Sequence, residues 1–449
     1  MRPRVKPALR RIVRDEHTLQ YGAHPLRSVL LSGLTRPVRA WIESLDGTRE
    51  LEQVLRGAAD AGLGDDCARS VLDQLIRQGA VHDAGAGPGS LRDLSLAERD
   101  RLRPELDALD LASTSPEGGI AVLERRRGKR VRVYGAGKVG AQVVALLAGA
   151  GVGTVRVFDP GVVRPGDITP GGLTWAELGQ TREAGAVAVA RRLTSGGRTP
   201  SAPTPAAPSG PAVRPPSTPT PAAQTRPAVR PPSTPTPAAP SRPAGRPPSP
   251  GPEATRASRA AADGGRPSPP VPRSEPRGEE EVAPSVDAVA GGPYLGDATD
   301  RPDLVVLAPV DPLDGVLVNE LTALGIPHLL ATAFEGHGLL GPLVLPGRSA
   351  CLHCLDLTRR DHDPAWPIVT ARLGGYPPGE IACDSTLAAL VAAAATGHAL
   401  AHLDGRESVV TNGTVDVTPD WRWRRRSWTI HPQCRCMRNN PYSLRMVMA

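Results

Sequence analysis

Apolar and polar positions in the first part of the chain alternate with the period of a strand and then with that of a helix. The TLQY segment at 18–21 alternates, and the apolar run at 28–31 could pair with it as a second strand. Three stretches with apolar side chains at helical spacing follow, at 38–45, 50–61 and 65–78. A strand-like segment at 80–82 closes the pattern. This order predicts a small winged-helix module over residues 1–90.

A strand, a glycine-rich loop, a helix and a second strand then succeed one another. Residues 131–134 form the first strand, GAGKVG follows at 135–140, and a helix covers 141–149. The second strand, at 154–158, ends in Asp159. With both strands and the acid in register, this arrangement is typical of a Rossmann nucleotide-binding domain, whereas GxGxxG alone would be weak support.

Each glycine of the loop has a physical role in such a site. Gly135 permits the tight turn, Gly137 lets backbone N–H groups approach a phosphate, and Gly140 lets the helix pack close on the strand. Lys138, between them, is a further candidate nucleotide contact, and Asp159 can take a ribose hydroxyl. The glycines also serve packing, so they support the fold more strongly than they support a bound nucleotide.

The second half of the chain continues the alternation of strands and helices. The segment at 303–309 is apolar on both faces, as a buried parallel strand is, and a helix at 313–324 follows. Strands are expected at 327–331 and 338–345, and a long Ala-rich helix at 386–402. The sequence therefore predicts an α/β fold with a Rossmann-like, mostly parallel sheet and helices on both faces.

A low-complexity segment separates these two halves. Pro, Ala, Ser, Thr and Arg dominate it, and a string of thirteen residues at 211–223 recurs at 227–239. Such a segment cannot bury enough apolar surface to offset chain entropy, which predicts a long disordered insertion; a ligand for a proline-recognition domain is the alternative. The predicted domains are a winged-helix-like unit (1–90), a helical linker (91–130), a first Rossmann half (131–196), the insertion (197–300) and a second half (301–449).

Composition and charge narrow the class of partner. The net charge of +7 is modest, and the basic clusters lack interleaved aromatic rings, so nucleic-acid binding is not expected. An acidic peptide or protein partner fits this charge. No secretory signal is visible, and the best candidate for a membrane span, at 387–403, is Ala-rich and holds two histidines. We therefore expect a cytoplasmic protein without membrane contact.

Two close cysteine pairs lie far apart in the sequence. Cys351 and Cys354 form a CxxC pair, and Cys434 and Cys436 form a CxC pair. In a reducing cytosol, paired cysteines favour a metal over disulfides, and two thiolate pairs suit a tetrahedral structural Zn²⁺. The alternative, four unrelated free cysteines, would use four of only six cysteines in the chain.

Other sulfur and imidazole groups leave alternatives open. His353 and His431 lie close enough to the pairs to replace a sulfur ligand. Cys67 is predicted to lie in the core of a helix. Cys383, just before a predicted helix start, is either a reactive thiol whose pKa the helix dipole lowers or a buried small residue.

The two Rossmann halves, from about Arg130 to Cys436 and interrupted by the insertion, together resemble the ThiF/MoeB/ubiquitin-activating-enzyme-like superfamily. The resemblance rests on VYGAGKVG (133–140), VFDPGVVRPGDI (157–168), PDLVVLAP (302–309), GPLVLPGRSACLHC (341–354), the Ala-rich helix and the last CxC. The N-terminal unit resembles the PqqD-like leader-recognition domain through LQYG, VLLSGL, LDGTREL and VLDQLIRQGAV. The resemblance implies that ATP and Mg²⁺ activate a carboxylate of a peptide or small carrier protein as an acyl-adenylate, and it implies a homodimer.

The chain departs from this family where the family holds ATP. The family's second acid, its asparagine and its Arg-Gln pair are replaced by Gly161, Asp167, Pro170 and Gly171. Arg182 stands in place of a family lysine and keeps its charge but not its geometry. The magnesium-binding acid falls on Val310, with Asp311 one residue further on.

Two hypotheses of different class follow. In the first, the chain is an ATP- and Mg²⁺-dependent adenylyltransferase in modified-peptide biosynthesis, with Arg182 and Asp311 as repurposed ligands. In the second, it is a catalytically inactive scaffold that captures a leader peptide through residues 1–90 and presents it to a partner modifying enzyme. An NAD-dependent dehydrogenase is a distant third, because no catalytic His or Lys constellation accompanies the glycine loop.

Overall fold

Local sequence signals determine where the elements of the N-terminal unit begin. Thr35 accepts the Val38 N–H and so caps the first helix, and the alternation at Leu19 and Tyr21 buries one face of a strand. The strands are Pro3–Val5 (β1), Arg11–Asp15 (β2), Thr18–Tyr21 (β3), Val29–Leu31 (β4) and Val81–Asp83 (β5). The helices are Arg36–Glu43 (α1), Leu51–Asp60 (α2) and Asp65–Arg77 (α3). Strands β2, β3 and β4 form an antiparallel sheet, and β1 pairs with β5.

The computed structural model describes most of the chain but not all of it. The described residues are 1–85, 87, 89–195, 284–289, 295, 300–310, 312–372 and 383–437. The predicted insertion therefore lies outside the described residues up to residue 283, and so does Asp311.

A helical hairpin, formed by Leu96–Ala112 (α4) and Gly118–Arg127 (α5), follows the N-terminal unit. Lys6 is 0% exposed, and its Nζ donates to the carbonyl oxygens of Asp110 and Ser113, each 2.5 Å away. At the other end of the hairpin, Arg126 and Asp404 form a buried two-point ion pair with both N–O distances at 2.7 Å. Buried cations are costly unless their donors are satisfied, so these contacts fix the hairpin between the N-terminal unit and the C-terminal end of the helix at Ser385–Leu403.

One large sheet organises the rest of the described chain. Its strands are Arg130–Tyr134 (β6), Thr154–Phe158 (β7), Ser285–Ala288 (β8), Leu304–Leu307 (β9), His328–Phe334 (β10), His337–Val344 (β11), Gly413–Val417 (β12) and Trp423–Ser427 (β13). Their spatial order is β13-β12-β11-β10-β9-β6-β7-β8. The pairs from β8 to β10 are parallel, and those from β10 to β13 are antiparallel.

Helices cover both faces of this sheet. They are Gly140–Gly149 (α6), Arg182–Arg192 (α7), Gly315–Ala323 (α8), Leu352–His362 (α9), Trp366–Arg372 (α10) and Ser385–Leu403 (α11). Helices α6, α7 and α11 share one core with the sheet, and α8 and α9 form a second core on the opposite face. The predicted α/β class, with a mostly parallel sheet between two helical layers, is confirmed.

Helix α11 is long and apolar enough to cross a membrane by length and composition alone. Its Asp384 cap accepts two backbone N–H groups, and residues such as Ala388, Val391 and Ala395 are buried against α6 and the sheet. This packing makes α11 the central core helix of one face, since a buried apolar helix gives the same hydropathy signal as a membrane span.

Three sequence expectations differ from the structure. Cys67 was expected to be buried but is exposed. Ala68, Leu72 and Leu75 form the buried face of α3, and Cys67 lies about 100° around the helix from that face. Strand β8 lies inside the range predicted as insertion, where it pairs with β7 at the sheet edge. Strands β12 and β13 were not expected. The arginine-rich β13 lacks the apolar alternation that predicts a strand, whereas Val415 and Val417 of β12 alternate and carried a signal that was missed.

Candidate functional site

A cleft opens where β6, β9 and β10 end, at the edge where α/β sheets bind ligands. It encloses about 230 Å³, and a second cleft of about 210 Å³ shares Pro309 and Val310 with it. The first cleft is lined by Gly137, Lys138, Arg164, Asp167, Arg182, Thr332 and Cys383, among others. The second is lined by Gly135, Phe158, Asp159 and Leu313, among others. The described nucleotide contacts that the sequence predicted thus divide between two adjacent spaces, except Gly140, which lines neither.

The three loop glycines differ in which atoms an added side chain would meet. Gly135 has φ +89°, and a Cβ there would lie 2.0 Å from the Ala308 carbonyl oxygen. At Gly140 a Cβ would lie 1.9 Å from the Gly135 carbonyl oxygen, inside the start of α6. At Gly137 the added atom would clash with the Val310 side chain, 2.6 Å away, and would lie 3.7 Å from Asp167 Oδ1, so side chains and not backbone limit this position. Packing therefore accounts for Gly135 and Gly140, while Gly137, although buried, lines the first cleft and has no side chain to fill it.

Asp159 is buried and holds the loop in place. Its Oδ2 accepts the Ala136 N–H at 2.7 Å, and its Oδ1 accepts the Gly161 N–H at 3.0 Å. Burial raises the pKa of this carboxyl, and the two backbone donors partly oppose that shift. The carboxylate thus joins the glycine loop to the turn after β7; its contact with a ribose stays a prediction.

Arg182, at the start of α7, is already paired. Its Nε lies 2.9 Å from Asp167 Oδ2, and both side chains are only 9% exposed. Its Nη1 also lies 3.9 Å from Asp159 Oδ1. These two carboxylates therefore largely neutralise the positive charge that Arg182 was expected to present to a phosphate. Sequence reasoning missed Asp167 in this role, because it noted this residue only as a departure from the family pattern.

Lys138 and Cys383 bring two distant segments together at the cleft. The Lys138 Nζ donates to the Cys383 carbonyl oxygen at 2.7 Å, which leaves two ammonium hydrogens for other acceptors. The Cys383 thiol lies partly buried beside the main core. Burial raises its pKa, which is the opposite of the lowering that a reactive thiol at a helix start requires. The interpretation of Cys383 as a buried small residue is the better supported one.

The expected magnesium ligand is not described. Asp311 lies outside the described residues, and Val310, at the family's acidic position, presents its side chain towards Gly137. The role of Asp311 stays a prediction.

The four predicted metal ligands form one cluster. The Cys351 Sγ lies 3.7 Å from Cys354 Sγ and 3.6 Å from Cys434 Sγ, and Cys354 Sγ lies 3.6 Å from Cys436 Sγ. All four sulfurs lie within 4.8 Å of one another. Tetrahedral zinc with Zn–S bonds of about 2.3 Å places its sulfurs about 3.8 Å apart, so this donor set could hold a zinc ion. The CxC spacing fits as well as CxxC does.

The two candidate histidines lie outside this donor set. The His431 Nε2 lies 2.7 Å from Asp361 Oδ2, and its Nδ1 accepts the Gln433 N–H at 3.2 Å. Its ring nitrogens are thus both engaged, and its carbonyl oxygen accepts the Cys434 N–H. His353 lies beside the cluster, next to α8, and is not one of the clustered ligands. Four sulfurs leave no open position, so an ion here would be structural.

The close approach of the four thiols shifts their pKa values in opposite directions. The pKa of Cys354 falls to about 4, because the Cys351 thiol hydrogen stabilises its thiolate. The pKa of Cys436 rises to about 12, because of burial and of its neighbouring sulfurs. A divalent cation removes this conflict by stabilising all four thiolates at once.

Solved structures share this fold, although no family model and no curated protein match the chain by sequence. E. coli MccB with MccA-N7isoASN aligns over 98% of this chain and 100% of its own, at 11% identity and a TM-score of 0.58. E. coli MccB with ATP aligns over 97% and 99%, at 12% identity and a TM-score of 0.57. PaaA aligns over 94% and 99%, at 13% identity and a TM-score of 0.56.

At these identities the comparison shows a shared fold. MccB is the Microcin C7 biosynthetic enzyme, and its structures include complexes with ATP and with N-formylated MccA. The common fold spans nearly the whole of each chain, and the ThiF-like resemblance drawn from the motifs stays a prediction.

Proposed function

We propose that this chain binds ATP in the two clefts and activates the carboxylate of a peptide as an acyl-adenylate. In that reaction a carboxylate oxygen attacks the α-phosphorus, and the bond to the leaving pyrophosphate breaks. The observation that carries the proposal is that Gly137, three residues before α6, lines the first cleft together with Lys138. A helix start with a nearby cation is suited to a phosphate.

The residues at hand fit a nucleotide in part. Gly135, Phe158 and Leu313 give the second cleft an apolar wall of the kind that a base needs, and Lys138 and Arg164 supply positive charge to the first. The shared fold of MccB, which has been crystallised with ATP, supports this assignment. Magnesium would need an acid near Val310, for which Asp311 is the candidate.

The peptide partner rests on separate support. The N-terminal unit offers edge strands β2 and β4, and Val13 and Leu30 are exposed on them. Exposed edges accept an extended peptide through backbone hydrogen bonds. We propose that this unit binds a precursor peptide, in line with MccB structures that contain MccA.

A second candidate function has an observation in its favour. The pairing of Arg182 with Asp167 removes a cation from the cleft, and adenylation depends on cations placed around the phosphates. A chain that cannot activate ATP would still bind a leader peptide and present it to a partner enzyme.

Exchange of labelled pyrophosphate into ATP separates the two functions. The full chain is mixed with ATP, Mg²⁺ and candidate precursor peptides, because reversible adenylation returns the label to ATP. Peptide-dependent exchange that is lost in Lys138→Met supports adenylation. If a peptide binds through residues 1–90 but no label is exchanged, the result supports the scaffold function.

A further inference from the structure

Strand β13 forms one outer edge of the large sheet. It pairs with β12 on one side only, and within the described part of the chain no strand lies on its other side. Its five residues, Trp423–Ser427, are all exposed. None of them lines the cleft described above.

The pairing pattern determines which backbone groups of β13 face outwards. The Thr418 N–H donates to the Arg422 carbonyl oxygen, and the Trp428 N–H donates to the Asn412 carbonyl oxygen. Hydrogen-bonded pairs alternate along an antiparallel ladder, so the backbone N–H and C=O groups of Arg424 and Arg426 also point towards β12. The N–H and C=O groups of Trp423, Arg425 and Ser427 therefore point away from the sheet.

This edge is strongly cationic. Arg422, Arg424, Arg425 and Arg426 are consecutive or nearly so, and all four are exposed. Two carboxylates offset part of their charge, since Arg422 Nε lies 2.9 Å from Asp420 and Arg426 Nε lies 2.8 Å from Asp416. The net charge of the edge remains positive.

Two tryptophans accompany the arginines. Trp421 is 48% exposed and Trp423 is 52% exposed. Charged residues alone are a common way to protect an edge strand from aggregation, but that protection does not require exposed indole rings. Tryptophan and arginine together are the residues enriched at binding hot spots.

We propose that this edge binds an acidic, extended polypeptide segment, which adds to the sheet beside β13. The outward backbone groups pair with the incoming strand, and its carboxylates face the arginines. A second copy of this chain is a poor occupant, because two such edges would place like charges opposite each other. A nucleic acid would use the charge and the rings but not the row of backbone donors. The proposal concerns a surface separate from the nucleotide cleft and does not depend on ATP binding.

Fluorescence anisotropy on the full chain tests this proposal. The probe is a labelled decapeptide of alternating glutamate and threonine, compared with a lysine-threonine peptide and with labelled oligo-dT. The acidic peptide should bind, and the other two should not. Ser427→Pro removes one outward N–H without changing charge and should weaken binding about tenfold, whereas Ser427→Ala keeps that N–H and should bind as the wild type does.

Charge is tested separately. Replacing Arg424 and Arg425 together by glutamine should weaken binding of the acidic peptide about tenfold and reduce its salt dependence. Circular dichroism and the unfolding temperature of each variant verify that the fold is retained. Equal affinities for Ser427→Pro and Ser427→Ala, tighter binding of oligo-dT, or a dimer in sedimentation that Ser427→Pro dissociates would each overturn the proposal.

Discussion

Arg182 and Asp167 form a buried ion pair inside the cleft, with Nε and Oδ2 2.9 Å apart and both side chains 9% exposed. The pair has two consequences. It fixes the turn after β7 against the start of α7, because Asp167 also accepts the Arg164 N–H at 2.9 Å. It also removes most of the positive charge that Arg182 would otherwise offer to a phosphate.

Neutralising this carboxylate should therefore strengthen nucleotide binding. We expect Asp167→Asn to bind ATP about threefold to tenfold more tightly, because a neutral amide no longer offsets the positive charge of Arg182 in the cleft. The same change should lower the free energy of unfolding by about 1–3 kcal/mol, because a buried cation loses its partner. Calorimetric titration and thermal unfolding measure the two effects. The control is Asp300→Asn, because the Asp300 carboxylate pairs with Arg132 and Arg156 and lines neither cleft. Weaker ATP binding by Asp167→Asn would contradict the assignment.

The cysteine cluster should hold one zinc ion per chain. Elemental analysis of the purified chain measures this content directly. Cys436→Ser should reduce the bound zinc and lower the unfolding temperature, because the ion would join the start of α9, which carries Cys351 and Cys354, to the CxC pair. Cys67→Ser, at an exposed cysteine outside the cluster, should change neither. Full zinc content in Cys436→Ser would show that this sulfur is not a ligand.

Substitution by alanine should separate a glycine that the backbone requires, Gly135, from one that it does not require, Gly397. Gly135→Ala should lower the free energy of unfolding by about 2 kcal/mol or more, since the residue has φ +89° and its Cβ would clash with the Ala308 carbonyl oxygen. Gly397→Ala, inside α11 with no atom within 4 Å of the added group, should stabilise the chain by up to about 1 kcal/mol. Denaturant unfolding of both variants measures these differences. A neutral Gly135→Ala would mean that the loop is not held as described.

Acid should destabilise the fold through His328. This side chain is buried, and burial lowers its pKa to about 4, from about 6.5 for a free histidine. The unfolded chain therefore binds a proton that the folded chain does not, and stability falls as the pH decreases from about 6.5 to about 4. The stability of His328→Leu relative to the wild type should rise across that window. A constant difference between pH 7 and pH 4.5 would indicate that His328 is not buried in its neutral form.

The parts of the fold that the sequence predicted are those in which periodicity and packing agree. Strand β6, helix α6 and strand β7 could be located because their apolar spacing, their glycines and Asp159 all require the same arrangement. Helix α11 was equally clear from its length and composition. Strand β13 could not be located, because it owes its conformation to pairing with β12 and its own residues carry no apolar alternation. Strand β12 is short, and the alternation of Val415 and Val417 in it was overlooked.

The candidate site was predictable in its membership more than in its contacts. The sequence indicated the four cysteines, which the fold brings into one cluster, and it indicated Gly137 and Lys138 at the cleft. It did not indicate that Asp167 would pair with Arg182, or that both oxygens of Asp159 would accept backbone N–H groups. Such contacts depend on where a loop returns, and residue spacing does not determine that.

The most direct test of the central claim is calorimetric titration of the full chain with ATP and Mg²⁺. The claim predicts binding in the micromolar range that is lost in Gly137→Asp, where an added carboxylate would enter the first cleft beside Val310 and Asp167, and retained in Gly397→Ala. Circular dichroism and zinc content verify that Gly137→Asp is folded. No detectable heat at millimolar ATP, or equal binding by Gly137→Asp, would contradict the claim and leave the peptide-binding scaffold as the function.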